Sequence, residues 1–212
     1  MIRLDAATVL LQWAVGGLAF LWVTTRSREV GVGYGWLVRS TYLLMAVAAG
    51  VVGLWIDPVP LREVSAFAVA AASCLALGVS IVRRKAGVRG EHERRARKAE
   101  RVRAMTGVDR VGGVDPGEGA DGEPGDRETP WGPEFPPGLD LIAPLVGIPG
   151  LVAAGVAAGD PMLLSVARVL VGAAFLGTVS DAMLLGHWYL VQPGLARRPL
   201  LELVRWTAWL WP

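Results

Sequence analysis

Residues 6–25 read AATVLLQWAVGGLAFLWVTT, twenty consecutive positions without an Asp, Glu, Lys or Arg. At about 1.5 Å rise per residue, a helix of this length is about 30 Å long, the thickness of a bilayer's hydrocarbon core. Four more apolar stretches follow, from about Trp36 to Ile56, Val64 to Val82, Leu139 to Ala158 and Pro161 to Val191. All are continuous and rich in Ala, Leu, Val and Gly. A membrane barrel would instead need short strands of alternating polarity. The expected fold is therefore an all-α integral membrane protein, a bundle of five transmembrane helices.

A sixth apolar stretch, Leu200 to Trp211, is too short for a comfortable span. It carries Glu202, Arg205 and the tryptophans Trp206, Trp209 and Trp211. It reads either as a Trp-rich segment at the membrane interface or as a short, incomplete membrane segment. The organisation is thus membrane helices 1–3 over residues 1–83, a charged cytoplasmic loop over 84–138, helices 4–5 over 139–192, and the terminal segment over 193–212. The first helix ends in Thr-Thr-Arg-Ser-Arg without a small-residue cleavage site, so it reads as retained, not as a removed signal.

Charge orients the bundle. Arg26, Arg28 and Arg39 flank the first connection, a dense basic cluster follows helix 3, and Arg197 and Arg198 follow helix 5. The connections holding Asp57, Arg62 and Glu63, and Asp160, carry no positive excess. Threading the chain with its N-terminus outside puts every basic connection in the cytoplasm, as the positive-inside rule requires. Nineteen of the 21 basic residues are Arg, consistent with a GC-rich bacterial genome, so the expected location is the bacterial cytoplasmic membrane.

The long loop has two halves. Residues 83–103 hold ten basic and three acidic side chains, and Glu91–Arg95 and Glu93–Arg97 have the i,i+4 spacing that would prolong helix 3. Residues 105–138 hold eight acidic residues against Arg110 and Arg127, with many Gly and Pro, a composition expected to be disordered. Arg83, Arg84, Lys85, Arg89, Arg94, Arg95, Arg97 and Lys98 form a patch for anionic lipid head groups or a protein partner, or serve only to set topology. Nucleic acid is a poor fit to so hydrophobic a chain. Gly31-Val-Gly-Tyr-Gly35 superficially resembles a phosphate loop but lacks the strand that gives such loops meaning, so it reads as a flexible turn.

The polar residues of helix 5 are the functional candidates: Arg168, Ser180, Asp181 and His187. Counted from Pro161, Arg168 lies about 10 Å along the helix and Asp181 about 30 Å, which puts Asp181 at the inner boundary. Ala173 and Gly177 share a stripe with Ser180 and His187 and form a helix-packing seam. His187 reads as an interfacial hydrogen-bonding residue, as part of a quinone, proton or substrate site, or as a haem ligand. His92, the only other histidine, lies in the loop, so a bis-His haem would need a partner's ligand. Cys74 is the only cysteine; it excludes an internal disulfide and reads as a small core residue. Pro144 and Pro149 should bend helix 4.

No catalytic or metal-binding signature emerges and no cofactor is indicated. The expected role is a non-enzymatic accessory or assembly subunit packed against a larger membrane complex, such as a respiratory one, or against copies of itself. The alternatives are a small-solute transporter or channel component, and a quinone- or haem-linked redox protein using Asp181 and His187.

Overall fold

The computed structural model describes residues 5–84, 96, 100–101, 105, 135–159, 161–192 and 194–211. Among them every regular element is an α-helix: α1 (Ala6–Thr25), α2 (Val32–Ile56), α3 (Pro60–Val82), α4 (Leu139–Ala157), α5 (Met162–Val191) and α6 (Arg198–Leu210). The first five are long and apolar enough to cross a membrane. Most of the basic cluster (Lys85, Arg89, Arg94, Arg95, Arg97 and Lys98) and the acidic tract lie outside the described residues, as do His92 and the proposed cytoplasmic prolongation of helix 3.

The helices alternate in direction. Successive elements pack against each other from α1 to α5, and α5 closes back onto α1. Because α1 also packs on α4 and α6, it is the most enclosed helix of the bundle. One end of the bundle carries Asp5, Asp57 and Arg62, and the other carries Thr25, Arg39, Asp140 and Arg197. These are called the Asp5 end and the Asp140 end below.

Two helices start earlier than hydropathy alone indicates. In α2 the helix begins at Val32 rather than Trp36, so Gly33 and Gly35 are helical and only Gly31 caps. The glycines serve packing instead of forming a turn: a Cβ on Gly33 would meet the Trp188 ring at 3.2 Å, and one on Gly35 would meet Arg39 Nη1 at 2.6 Å. Helix α3 begins at Pro60, a favourable first helical position for proline, and takes Arg62 and Glu63 into its first turn. Both residues are buried there, whereas sequence reading leaves them in a loop. Helix α4 runs unbroken through Pro144 and Pro149. Cys74 is exposed on α3 and does not belong to the core, because Ala70 and Ser73 occupy the inward side of that turn.

The contact between α1 and α5 is made by backbone. A Cβ on Gly16 would lie 1.8 Å from the Ala173 carbonyl oxygen, and one on Gly177 would lie 2.2 Å from the Gly16 carbonyl carbon. Were these apolar helices in lipid, there would be little hydrophobic driving force between them, and close packing of small residues and buried hydrogen bonds would have to hold them. Ala173 and Gly177 are therefore seated directly against α1.

The terminal segment neither lies across the bundle end nor extends away from it. Helix α6 starts at the Asp140 end, folds back beside α5 and α1, and reaches the middle of α5, where Trp211 and Phe175 have ring centroids 5.7 Å apart. Phe20 meets Trp206 edge-on at 6.0 Å. An Arg26–Glu202 ion pair and a hydrogen bond from the Tyr189 hydroxyl to the Ala196 carbonyl secure its approach.

Candidate functional site

Three buried polar centres lie along the bundle, and each ties together helices distant in sequence. At the Asp5 end, Arg62 is 1 % exposed and every guanidinium hydrogen has an acceptor. Nη1 donates to Asp5 Oδ2 at 2.5 Å and Thr8 Oγ1 at 3.1 Å; Nη2 donates to the Asp57 carbonyl at 2.6 Å and Glu63 Oε1 at 2.8 Å; Nε donates to Glu63 Oε1 at 3.0 Å. One side chain thus joins the start of α1, the end of α2 and the start of α3. Asp5 also caps α1, accepting from the Thr8 backbone N–H at 2.7 Å.

At the opposite end Arg39 of α2 grips Asp140 of α4 with two parallel hydrogen bonds, Nε to Oδ1 at 2.7 Å and Nη2 to Oδ2 at 2.8 Å. This fork geometry is the strong form of the Arg–carboxylate pair. Thr25 of α1 donates to Asp140 Oδ2 at 3.0 Å, and the Phe135 ring lies 4.4 Å from the guanidinium carbon. Asp140 sits in the first turn of α4, where the helix dipole favours a carboxylate.

The third centre lies between these ends. Asp181 of α5 is fully buried, and the Tyr42 hydroxyl donates to its Oδ1 at 2.6 Å. The Tyr34 hydroxyl donates to the Asp181 carbonyl at 3.2 Å. Asp181 Oδ2 has no hydrogen-bond partner among the described residues. Both tyrosines are on α2, which hardly touches α5 directly. Tyr42 reaches across α1 because Gly17 has no side chain: a Cβ there would fall 2.0 Å from the ring. Consecutive glycines in α1 therefore do different work, Gly16 admitting the α5 backbone and Gly17 admitting the Tyr42 ring. Two neighbouring bonds also join α1 to α5, Trp13 Nε1 to Ser180 Oγ at 2.6 Å and Gln12 Nε2 to the Val169 carbonyl at 2.8 Å.

The four polar candidates of helix 5 thus separate. Ser180 and Asp181 face inward and bind α1 and α2. Arg168 is exposed near the Asp5 end, and no described residue pairs with it. His187 is exposed one turn beyond Met183, and its Nδ1–H donates to the Met183 carbonyl at 2.9 Å. Asp181 is not at the bundle boundary, as a count from Pro161 indicates. Helix α5 has 30 residues against 20 in α1, so its first turns overhang. Gly177, one turn before Asp181, abuts Gly16 at the centre of α1.

Comparison with protein families, with characterised proteins and with solved structures finds no match to this chain. Of the predicted lipid- or partner-binding patch only Arg83 and Arg84 fall among the described residues with neighbours, at the Asp140 end. No group of three or more His, Cys, Asp or Glu among the described residues is placed to hold a metal ion. Sequence reading misses Arg39, Asp140, Arg62, Tyr34 and Tyr42. One available signal was that Arg39 and Asp140 are opposite charges at the edges of apolar segments on the same end of the bundle, where ionisable groups pair.

Proposed function

We propose that the chain is a multi-pass protein of the bacterial cytoplasmic membrane, with the Asp5 end outside and the Asp140 end in the cytoplasm. Its role is that of a non-enzymatic accessory subunit packed against a larger membrane complex. The observation that supports this most is where the ionisable side chains inside the bundle are used. Arg62 with Asp5, Arg39 with Asp140, and Asp181 with Tyr42 all join one helix to another. Side chains so committed make a rigid, shaped bundle. The face left outward on α2 carries Leu44, Val47, Val51, Leu54 and Trp55 at helical spacing, an apolar surface for lipid or another subunit.

The test is purification of the tagged protein from its native membrane in a mild detergent, followed by mass spectrometry and an absorption spectrum. Stoichiometric co-purification of one set of membrane proteins supports the subunit role. Recovery of the chain alone refutes it, and a chromophore in the purified chain favours the redox reading of His187. A second reading, a small-solute transporter or channel component, draws on Asp181 Oδ2, which is buried between the two ends of the bundle without a hydrogen-bond partner among the described residues. Flux into proteoliposomes that Asp181→Asn abolishes would support it.

A further inference from the structure

Among the described residues a concave apolar surface lies between α5 and the last turn of α6. Helix α6 covers α5 only from the Asp140 end to Phe175, and the rest of α5 toward Met162 has no α6 beside it. The result is a groove of about 460 Å³, within the size range of small-molecule sites. One wall is a stripe of α5, Ala167, Val171 and Phe175, at the spacing that keeps residues on one helix face. The other wall is the end of α6, Leu210 and Trp211. Arg168 lines the same groove two turns from Phe175, about 10 Å along the helix. It is exposed and pairs with no described residue.

This surface has one fixed positive charge toward the end of the bundle and apolar lining from there to the middle. We infer that the groove holds a glycerophospholipid of the outer leaflet, its phosphate on the Arg168 guanidinium and one acyl chain lying along Val171 and the touching Phe175 and Trp211 rings. A partner helix is a poorer occupant, because it would need a carboxylate at the level of Arg168 to avoid stranding that charge. A phospholipid supplies charge and chain together, and the planar guanidinium can meet a phosphate with two hydrogen bonds. The inference rests on the membrane placement proposed above but not on the accessory role.

The test uses the purified full-length chain in a neutral detergent, with bound lipid counted by native mass spectrometry. It is titrated with dioleoyl-phosphatidylglycerol and, separately, with dioleoylglycerol, which has the same chains and no phosphate. Two variants at exposed positions accompany the wild type: Arg168→Gln removes the charge, and Ala167→Trp fills the groove while keeping it. The wild type should hold one phosphatidylglycerol that both variants lose, with an affinity drop of about tenfold in Arg168→Gln. Dioleoylglycerol should bind the wild type about as weakly as phosphatidylglycerol binds Arg168→Gln. Lipid held by the basic loop remains in all three proteins and provides the common background. Equal phosphatidylglycerol retention in the three proteins overturns the inference. So does loss in Ala167→Trp alone, equal affinity for the two lipids, or displacement by inorganic phosphate. Because the chain is assayed alone, either result leaves the co-purification test of the accessory role intact.

Discussion

Removing the Arg39 side chain would strand the Asp140 carboxylate inside the bundle. Both residues are 2 % exposed, and their two hydrogen bonds, at 2.7 and 2.8 Å, are the main compensation each charge has. Breaking a buried pair by deleting one partner costs about 3–5 kcal/mol, most of it the penalty on the charge left behind. The two deletions should not cost the same. Without Arg39, Asp140 keeps the Thr25 hydroxyl at 3.0 Å and the N-terminal dipole of α4, and the dipole offsets about 1 kcal/mol. Without Asp140, Arg39 keeps only a long 3.4 Å contact to Ser80 and the face of Phe135. Arg39→Ala should therefore cost about 2–4 kcal/mol and Asp140→Ala about 3–5 kcal/mol. The double variant Arg39→Met with Asp140→Leu leaves no stranded charge and should recover most of the loss, because apolar replacement of a whole buried pair is often neutral or better. The assay is reversible unfolding of the purified protein in mixed micelles, followed by tryptophan fluorescence. Single variants within about 0.5 kcal/mol of wild type would mean that the pair is hydrated or absent. A double variant as unstable as the sum of the singles would show that the two residues are not coupled.

Three further expectations can be checked with the same protein. Gly17→Ala places a methyl group on the Tyr42 ring and should break the bond from its hydroxyl to Asp181, so Gly17→Ala and Tyr42→Phe combined should destabilise by clearly less than the sum of the separate losses; additivity in unfolding free energy would refute the crossing geometry. Asp181→Asn keeps an oxygen acceptor for Tyr42 and should stay within about 1 kcal/mol of wild type, whereas Asp181→Leu leaves that hydroxyl unpaired and should lose about 1–3 kcal/mol; the reverse ranking in thermal or denaturant unfolding would refute the assignment. A variant whose only tryptophan is Trp211 should be quenched more by lipids brominated deep in the acyl chain than by those brominated near the glycerol, because α6 ends beside Phe175; stronger shallow quenching would place α6 at the interface instead.

The sequence alone determined the helical class and the number of membrane-length helices, because both follow from properties that add up locally. Hydropathy and length over some twenty residues decide whether a segment can span, and α1 was legible to the residue. The candidate site was legible only in part. Asp181, Ser180, Ala173 and Gly177 are ionisable or small residues on one apolar helix, so they stand out unaided. Their partners do not, because Tyr42 is 139 positions from Asp181, and Asp140 is 101 from Arg39. Gly16 and Gly17 resemble any glycine of an apolar helix until the α5 backbone and a tyrosine ring are seen pressed against them. The depth of Asp181 likewise depended on how far α5 overhangs α1, an offset set by packing rather than by composition. Tertiary structure decided these points because partner choice in an apolar bundle comes from close contact and shared hydrogen bonds, and neither is written into the periodicity of a single helix.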